Sequence, residues 1–217
     1  MPDLRFEVTG AEPLPYAAQP TITFKLHVSN TPDDEPIANA MLRCQIRVAA
    51  TQRRYSPEAK ARLVEVFGEP DRWRETLRAF VWTHTVVVLP AFTGGADVDV
   101  PIPCSYDFEA ANTKYFDALE DGEIPLTFLF SGTVFYEEPE TGALRVSNIS
   151  WERDADFRLP VAVWRAMMES YYPNAVWPRL RKDVFDRLRA YQAARGLPTM
   201  DETLSRLLDA SEVEARP

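Results

Sequence analysis

Two histidines, two cysteines and two aspartate pairs are the side chains best placed to do chemistry in this chain, and their spacing argues against most of it. His27 falls on the polar side of an alternating strand, where an ordinary solvated residue is expected. His84, in Trp82-Thr83-His84-Thr85, has no Cys, His or acidic cluster near it in sequence, so a partly buried, hydrogen-bonded ring is expected rather than a metal ligand. Asp97/Asp99 and Asp154/Asp156 could offer oxygens to calcium, but neither pair stands in the glycine-bearing loop of an EF-hand, and two acids at i, i+2 on a strand mark a solvated face. Cys44 and Cys104 each occupy the apolar side of a strand, which predicts buried, reduced thiols rather than a disulfide or a metal pair. Phe92-Thr93-Gly94-Gly95 reads as a turn, and the chain contains no G-x-S-x-G, Walker A or H-E-x-x-H pattern. The expectation is a protein that is not an enzyme, with no catalytic, cofactor-binding or metal-binding residues; an enzyme built around His84 would need polar partners within hydrogen-bonding distance of the ring.

Binding is what remains. Tyr171, Tyr172, Trp177 and Pro178 gather aromatic side chains, a type enriched among interface anchors, where Pro173, Asn174 and Pro178 break a helical pattern. These four are the expected protein-contact residues. The competing reading is that, with Trp164, they glue helices onto the sheet.

The elements that position these groups are legible from periodicity. Leu126, Phe128, Phe130, Gly132, Val134 and Tyr136 share one side of a long central strand, and Glu138-Pro139-Glu140-Thr141-Gly142 turns it back into a hairpin. On the return strand Leu144 and Val146 are out of phase with Ile149 and Trp151, which predicts a β-bulge near Ser147-Asn148. Earlier strands are expected around residues 4–8, 22–28, 42–48 and 81–89. Asp97, Asp99, Pro101 and Pro103 make the strand that ends at Cys104 an edge strand. Ser56-Pro57-Glu58 opens a helix over 57–67, and Pro70 a shorter one carrying Trp73 and Leu77. Further helices are expected over 111–119, from Pro160 to Pro173, over 183–195 with Gly196 as its cap, and after Thr199, where Glu202 completes a capping box. The fold class is α+β: an antiparallel two-layer, Greek-key-like β-sandwich with inserted short helices and a C-terminal helical tail. We expect a single domain over 1–217, with a β-rich body (1–158), a helical tail (159–209) packed on it, and disorder over 210–217.

A chain of 217 residues with 46% hydrophobic content can bury a substantial core, and its formal charge of -9 opposes nucleic-acid binding, which relies on basic surface. The start lacks an apolar signal region and no window is apolar enough to span a bilayer, so a cytoplasmic protein is expected, without membrane or nucleic-acid partners.

Leu42-Arg43-Cys44-Gln45-Ile46-Arg47, Trp82-Thr83-His84, Pro103-Cys104-Ser105-Tyr106-Asp107-Phe108, the stretch from Leu126 to Phe135 and Arg158-Leu159-Pro160-Val161-Ala162-Val163-Trp164 together resemble an uncharacterised bacterial family. Its genes lie beside those of high-affinity uptake nickel-iron hydrogenases. The resemblance extends from residue 4 to about 208, through Tyr172-Pro173-Asn174 and Leu197-Pro198-Thr199. It implies a cytoplasmic, non-enzymatic accessory or chaperone-like role, with a hydrogenase subunit or maturation protein as partner and no cofactor; it carries over no site motif. The alternative is a small-molecule or cofactor-binding module whose ligand sits between sheet and tail. An enclosed apolar pocket with convergent polar groups would favour that alternative, and an exposed aromatic patch a protein partner.

Overall fold

Seven strands in two antiparallel sheets dominate the computed structural model, which describes residues 2–104, 110–138, 141–175 and 180–214, without the side chains of Trp151, Val213 and Glu214. β1 (Asp3–Pro13), β2 (Thr21–Thr31) and β5 (Gly95–Pro103) form one sheet in the order β1-β2-β5. β3 (Ile37–Val48), β4 (Phe80–Leu89), β6 (Glu123–Glu137) and β7 (Leu144–Pro160) form the other in the order β4-β3-β6-β7. β3 and β6 are its central strands, and β5 is an edge, as its prolines require.

The layers meet through aromatic rings on the alternating apolar faces that the sequence displays. Phe6 of β1 stacks on Phe130 of β6 with centroids 4.2 Å apart, and Phe24 of β2 meets Phe128 edge-to-face at 5.1 Å and Phe157 at 5.8 Å. Ile22, Leu26, Leu42, Cys44, Ile46 and Leu126 fill the space around them. Gly132 interrupts the inward row for a reason of space: a Cβ there would stand 2.0 Å from the Met41 carbonyl oxygen, and its φ of 146° suits glycine.

Helices close one end of this sandwich. Ser56 caps α1 (Pro57–Arg62) by accepting from the Ala59 amide at 3.1 Å, as its position predicts. The helix expected over 57–67 is instead two, because the backbone leaves helical geometry at Leu63, which is fully buried, before resuming as α2 (Val64–Phe67). α3 (Trp73–Thr76) and α4 (Ala111–Asp117) complete a cluster in which Tyr115 meets Tyr55, Phe67 and Phe80. α5 (Val161–Tyr171) adds Trp164, whose ring lies 4.6 Å from Phe116 and whose indole N–H donates to Asp117 at 3.0 Å.

Two features of β7 correct the sequence reading. Ile149, Asn148, Ser147 and Val146 pair in unbroken register with Gly132, Thr133, Val134 and Phe135, so there is no bulge at Ser147-Asn148; the register shifts instead opposite residues 130–132, across 150–152 of β7. Leu144 and Val146 fall out of phase with Ile149 because they point outward, each 61% exposed, while Ile149 packs on the core.

By their contacts residues Met1–Trp177 form one compact unit and Pro178–Pro217 another. Within the second, α6 (Lys182–Arg195) ends at Gly196 in the left-handed conformation, whose amide returns to the Ala193 carbonyl at 3.2 Å. Thr199 accepts from the Glu202 amide and opens α7 (Met200–Glu214). That helix runs past Ser211, where disorder was expected, and the Ser211 hydroxyl donates to the Leu208 carbonyl at 2.7 Å; residues 215–217 lie outside the described residues. No helix among the described residues is long and apolar enough to cross a membrane.

Candidate functional site

Alternation along the four-stranded sheet sends one set of side chains into the sandwich and the other onto an outer face. Register places Val88, Met41, Thr133 and Asn148 in one row across β4, β3, β6 and β7. His84, Gln45, Leu129 and Asp154 form another row, with Val86, Arg43 and Ser131 between them. Val86 and Val88 are 60% and 64% exposed, and Met41, Leu144 and Val146 are exposed as well. Arg43, Gln45, His84, Val86, Leu129 and Ser131 line an open hollow of about 700 Å³ on this face. Arg43 is exposed and has no hydrogen-bond or ion-pair partner among the described residues.

The chemistry-bearing side chains are dispersed. His84, expected to be partly buried, is exposed on the outer face, with its Nε2 2.9 Å from the Gln45 side-chain nitrogen; alternation puts it with Val86 and Val88 rather than in the core. His27 sits on the other sheet, its Nδ1 2.7 Å from Asp97, while Asp99 accepts from Lys25 at 2.9 Å. Asp97 and Asp99 are thus held in cross-strand pairs. Asp156 accepts from the Thr127 hydroxyl at 2.8 Å, and Asp154 is exposed on the outer face. Among the described residues no group of three or more His, Cys, Asp or Glu stands close enough to hold a metal ion. Cys44 and Cys104 are free and buried, and desolvation pushes both thiols up to about 12. Asp117 is a displaced carboxylate: burial raises it above the usual range, against the indole of Trp164 and the nearby charge of Arg165.

Tyr171 and Tyr172 are half-buried against the core. The Tyr171 hydroxyl donates to the Ala17 carbonyl at 2.9 Å, tying α5 to the loop between β1 and β2. Trp177 and Pro178 lie outside the described residues. The outer face escaped the sequence reading, although Val86-Val87-Val88-Leu89 carries its signal: a continuous apolar run means that a strand is apolar on both faces, whether or not both are covered.

Comparison with solved structures finds likenesses of low identity and low TM-score. The CARDB domain of PF1109 from Pyrococcus furiosus, solved in complex with di-metal ions, is 12% identical over 73% of this chain and 92% of that one, with a TM-score of 0.28. The putative ApaA protein from Bordetella pertussis is 13% identical over 73% and 93%, with a TM-score of 0.25. A β-glucosidase from Kluyveromyces marxianus is 10% identical over 73% of this chain but only 15% of its own, with a TM-score of 0.24. No curated protein matches. A family model does match, from residue 1 to residue 216, and the chain therefore belongs to the family of unknown function DUF6084.

Proposed function

We propose that this protein is a non-enzymatic accessory protein that works by binding another protein across the outer face of its four-stranded sheet. The observation that carries the reading is the exposed apolar set on that face: Met41, Val86 and Val88 beside Arg43, which has no partner among the described residues, and Leu144 and Val146 further along the same face on β7. A contiguous apolar patch rimmed by polar side chains is the ordinary signature of a protein contact. The family resemblance adds a hydrogenase subunit or maturation protein as the partner, and a cytoplasmic setting. Tyr171 and Tyr172 are weaker anchors for such a contact, since both are engaged with their own fold.

A second reading, at a different place from the sheet-and-tail site the sequence suggests, puts a small molecule in the same hollow, where Arg43, Gln45, His84 and Ser131 converge. Its openness favours a macromolecule, because small-ligand sites bury most of their ligand. Purification of the native complex from cells, followed by mass spectrometry, tests the choice. A hydrogenase subunit or maturation protein recovered in stoichiometric amount supports the proposal; a chain that returns alone with a bound small molecule contradicts it.

A further inference from the structure

Each sheet of a sandwich has two edges, and an unguarded edge strand is a template for pairing with another chain. Three of the four edges here are guarded. β1 carries Asp3, Arg5, Glu7 and Glu12, ends in Pro13, and breaks its register between Val8 and Gly10. β5 carries Asp97 and Asp99 with Pro101 and Pro103. β7 carries Glu152, Arg153, Asp154, Asp156 and Arg158 and its own register shift.

β4 has none of these devices over residues 83–89. From Phe80 to Leu89 it contains no Asp, Glu, Lys, Arg or Pro, and its register irregularity lies at Trp82, before this run begins. Asn112 from α4 donates to the Trp82 carbonyl at 3.2 Å, closing the strand's first part to an incoming chain. Beyond that point β4 pairs only with β3 among the described residues. Thr, His and Val there are extended, β-prone and free of formal charge apart from the histidine.

We infer that residues 83–89 pair, antiparallel and about a two-fold axis at Val86, with the same residues of a second copy of this chain. The occupant follows from charge. An uncharged edge is matched best by another uncharged edge, and among the described edge strands β4 has the longest run without charge or proline. The register follows from the Asn112 cap, because Val86 is the midpoint of the run left open. Pairing about Val86 sets Val86 against Val86, His84 against Val88 and Thr85 against Val87, so no like charges face each other and each sheet face continues across the seam. This goes beyond the proposed partner contact, since it concerns an edge rather than a face and is measured on the chain alone.

Sedimentation equilibrium of the full chain tests it. Wild type is expected to be a dimer in equilibrium with monomer. Val86→Lys and Val86→Glu, at a 60% exposed position where folding is undisturbed, each set like charges on the axis and raise the dissociation constant about tenfold or more. An equimolar mixture of the two variants restores association, because Lys then faces Glu; circular dichroism of each variant confirms that it is folded. A monomeric wild type, a Val86→Lys variant that dimerises like wild type, or a mixture that stays monomeric each overturns the inference.

Discussion

The outer faces of the two sheets are built from the same alternation and end differently. On the three-stranded sheet the outward side chains are matched across strands: Lys25 bridges Glu12 and Asp99 at 2.9 Å each, and His27 meets Asp97 at 2.7 Å. On the four-stranded sheet valines and a methionine stand in water beside an arginine with no partner among the described residues. Exposed ion pairs add little stability, so the first face is best understood as a surface kept soluble and unpaired. The second leaves apolar area uncovered, which gains free energy only when something covers it. One face is matched by its own residues, and the other is the face proposed to bind a partner.

The largest effect expected is on the interior that both sheets share. Phe128→Ala opens a cavity beside Phe24 and should cost about 3–5 kcal/mol of stability, read from denaturant unfolding. An unfolding midpoint near wild type would mean that β6 does not carry the core. Tyr171→Phe removes the donation to Ala17 and should cost about 1 kcal/mol; no change would free Tyr171 for the contact role the sequence suggests. On the open face, Val88→Thr should stay within about 0.5 kcal/mol of wild type, and a larger loss would show that Val88 is covered within the chain.

Two further tests sharpen the boundary between inside and outside. Cys44 and Cys104 should react with a thiol probe only as fast as the protein opens, since both are buried and their thiols are pushed up to about 12. Rapid labelling of either would move it to the surface. Asp117 has a raised folded-state value, so the folded chain holds its proton more tightly than the unfolded one. This contribution to stability is fully present below about pH 4 and is lost as pH rises through the folded value. Asp117→Asn, which keeps an acceptor for the Trp164 indole, should remove that slope while leaving the rest of the pH profile in place. An unchanged slope would contradict the burial assigned to the carboxyl.

Much of the framework can be read from residue pattern because local rules and tertiary structure agree there. β2, β3 and β6 alternate cleanly, Ser56 and Thr199 cap the helices they precede, and the aspartates and prolines of β5 mark an edge. The open face was hidden by the same logic. Period-2 reading equates apolar with inward, so Leu144 and Val146 placed the irregularity of β7 at Ser147-Asn148 instead of across 150–152, and the uninterrupted valines of β4 showed no face at all. The break at buried Leu63 was equally invisible, since helical spacing continues through it.

Co-purification with a face variant decides whether the outer face of the four-stranded sheet binds a partner protein. Met41→Glu with Val146→Glu places charge on two separate strands of the face at exposed positions. The double variant is expected to keep a melting temperature close to wild type and to lose any protein that co-purifies with the wild-type chain. Full recovery of that protein by the stable double variant would rule the face out as the contact.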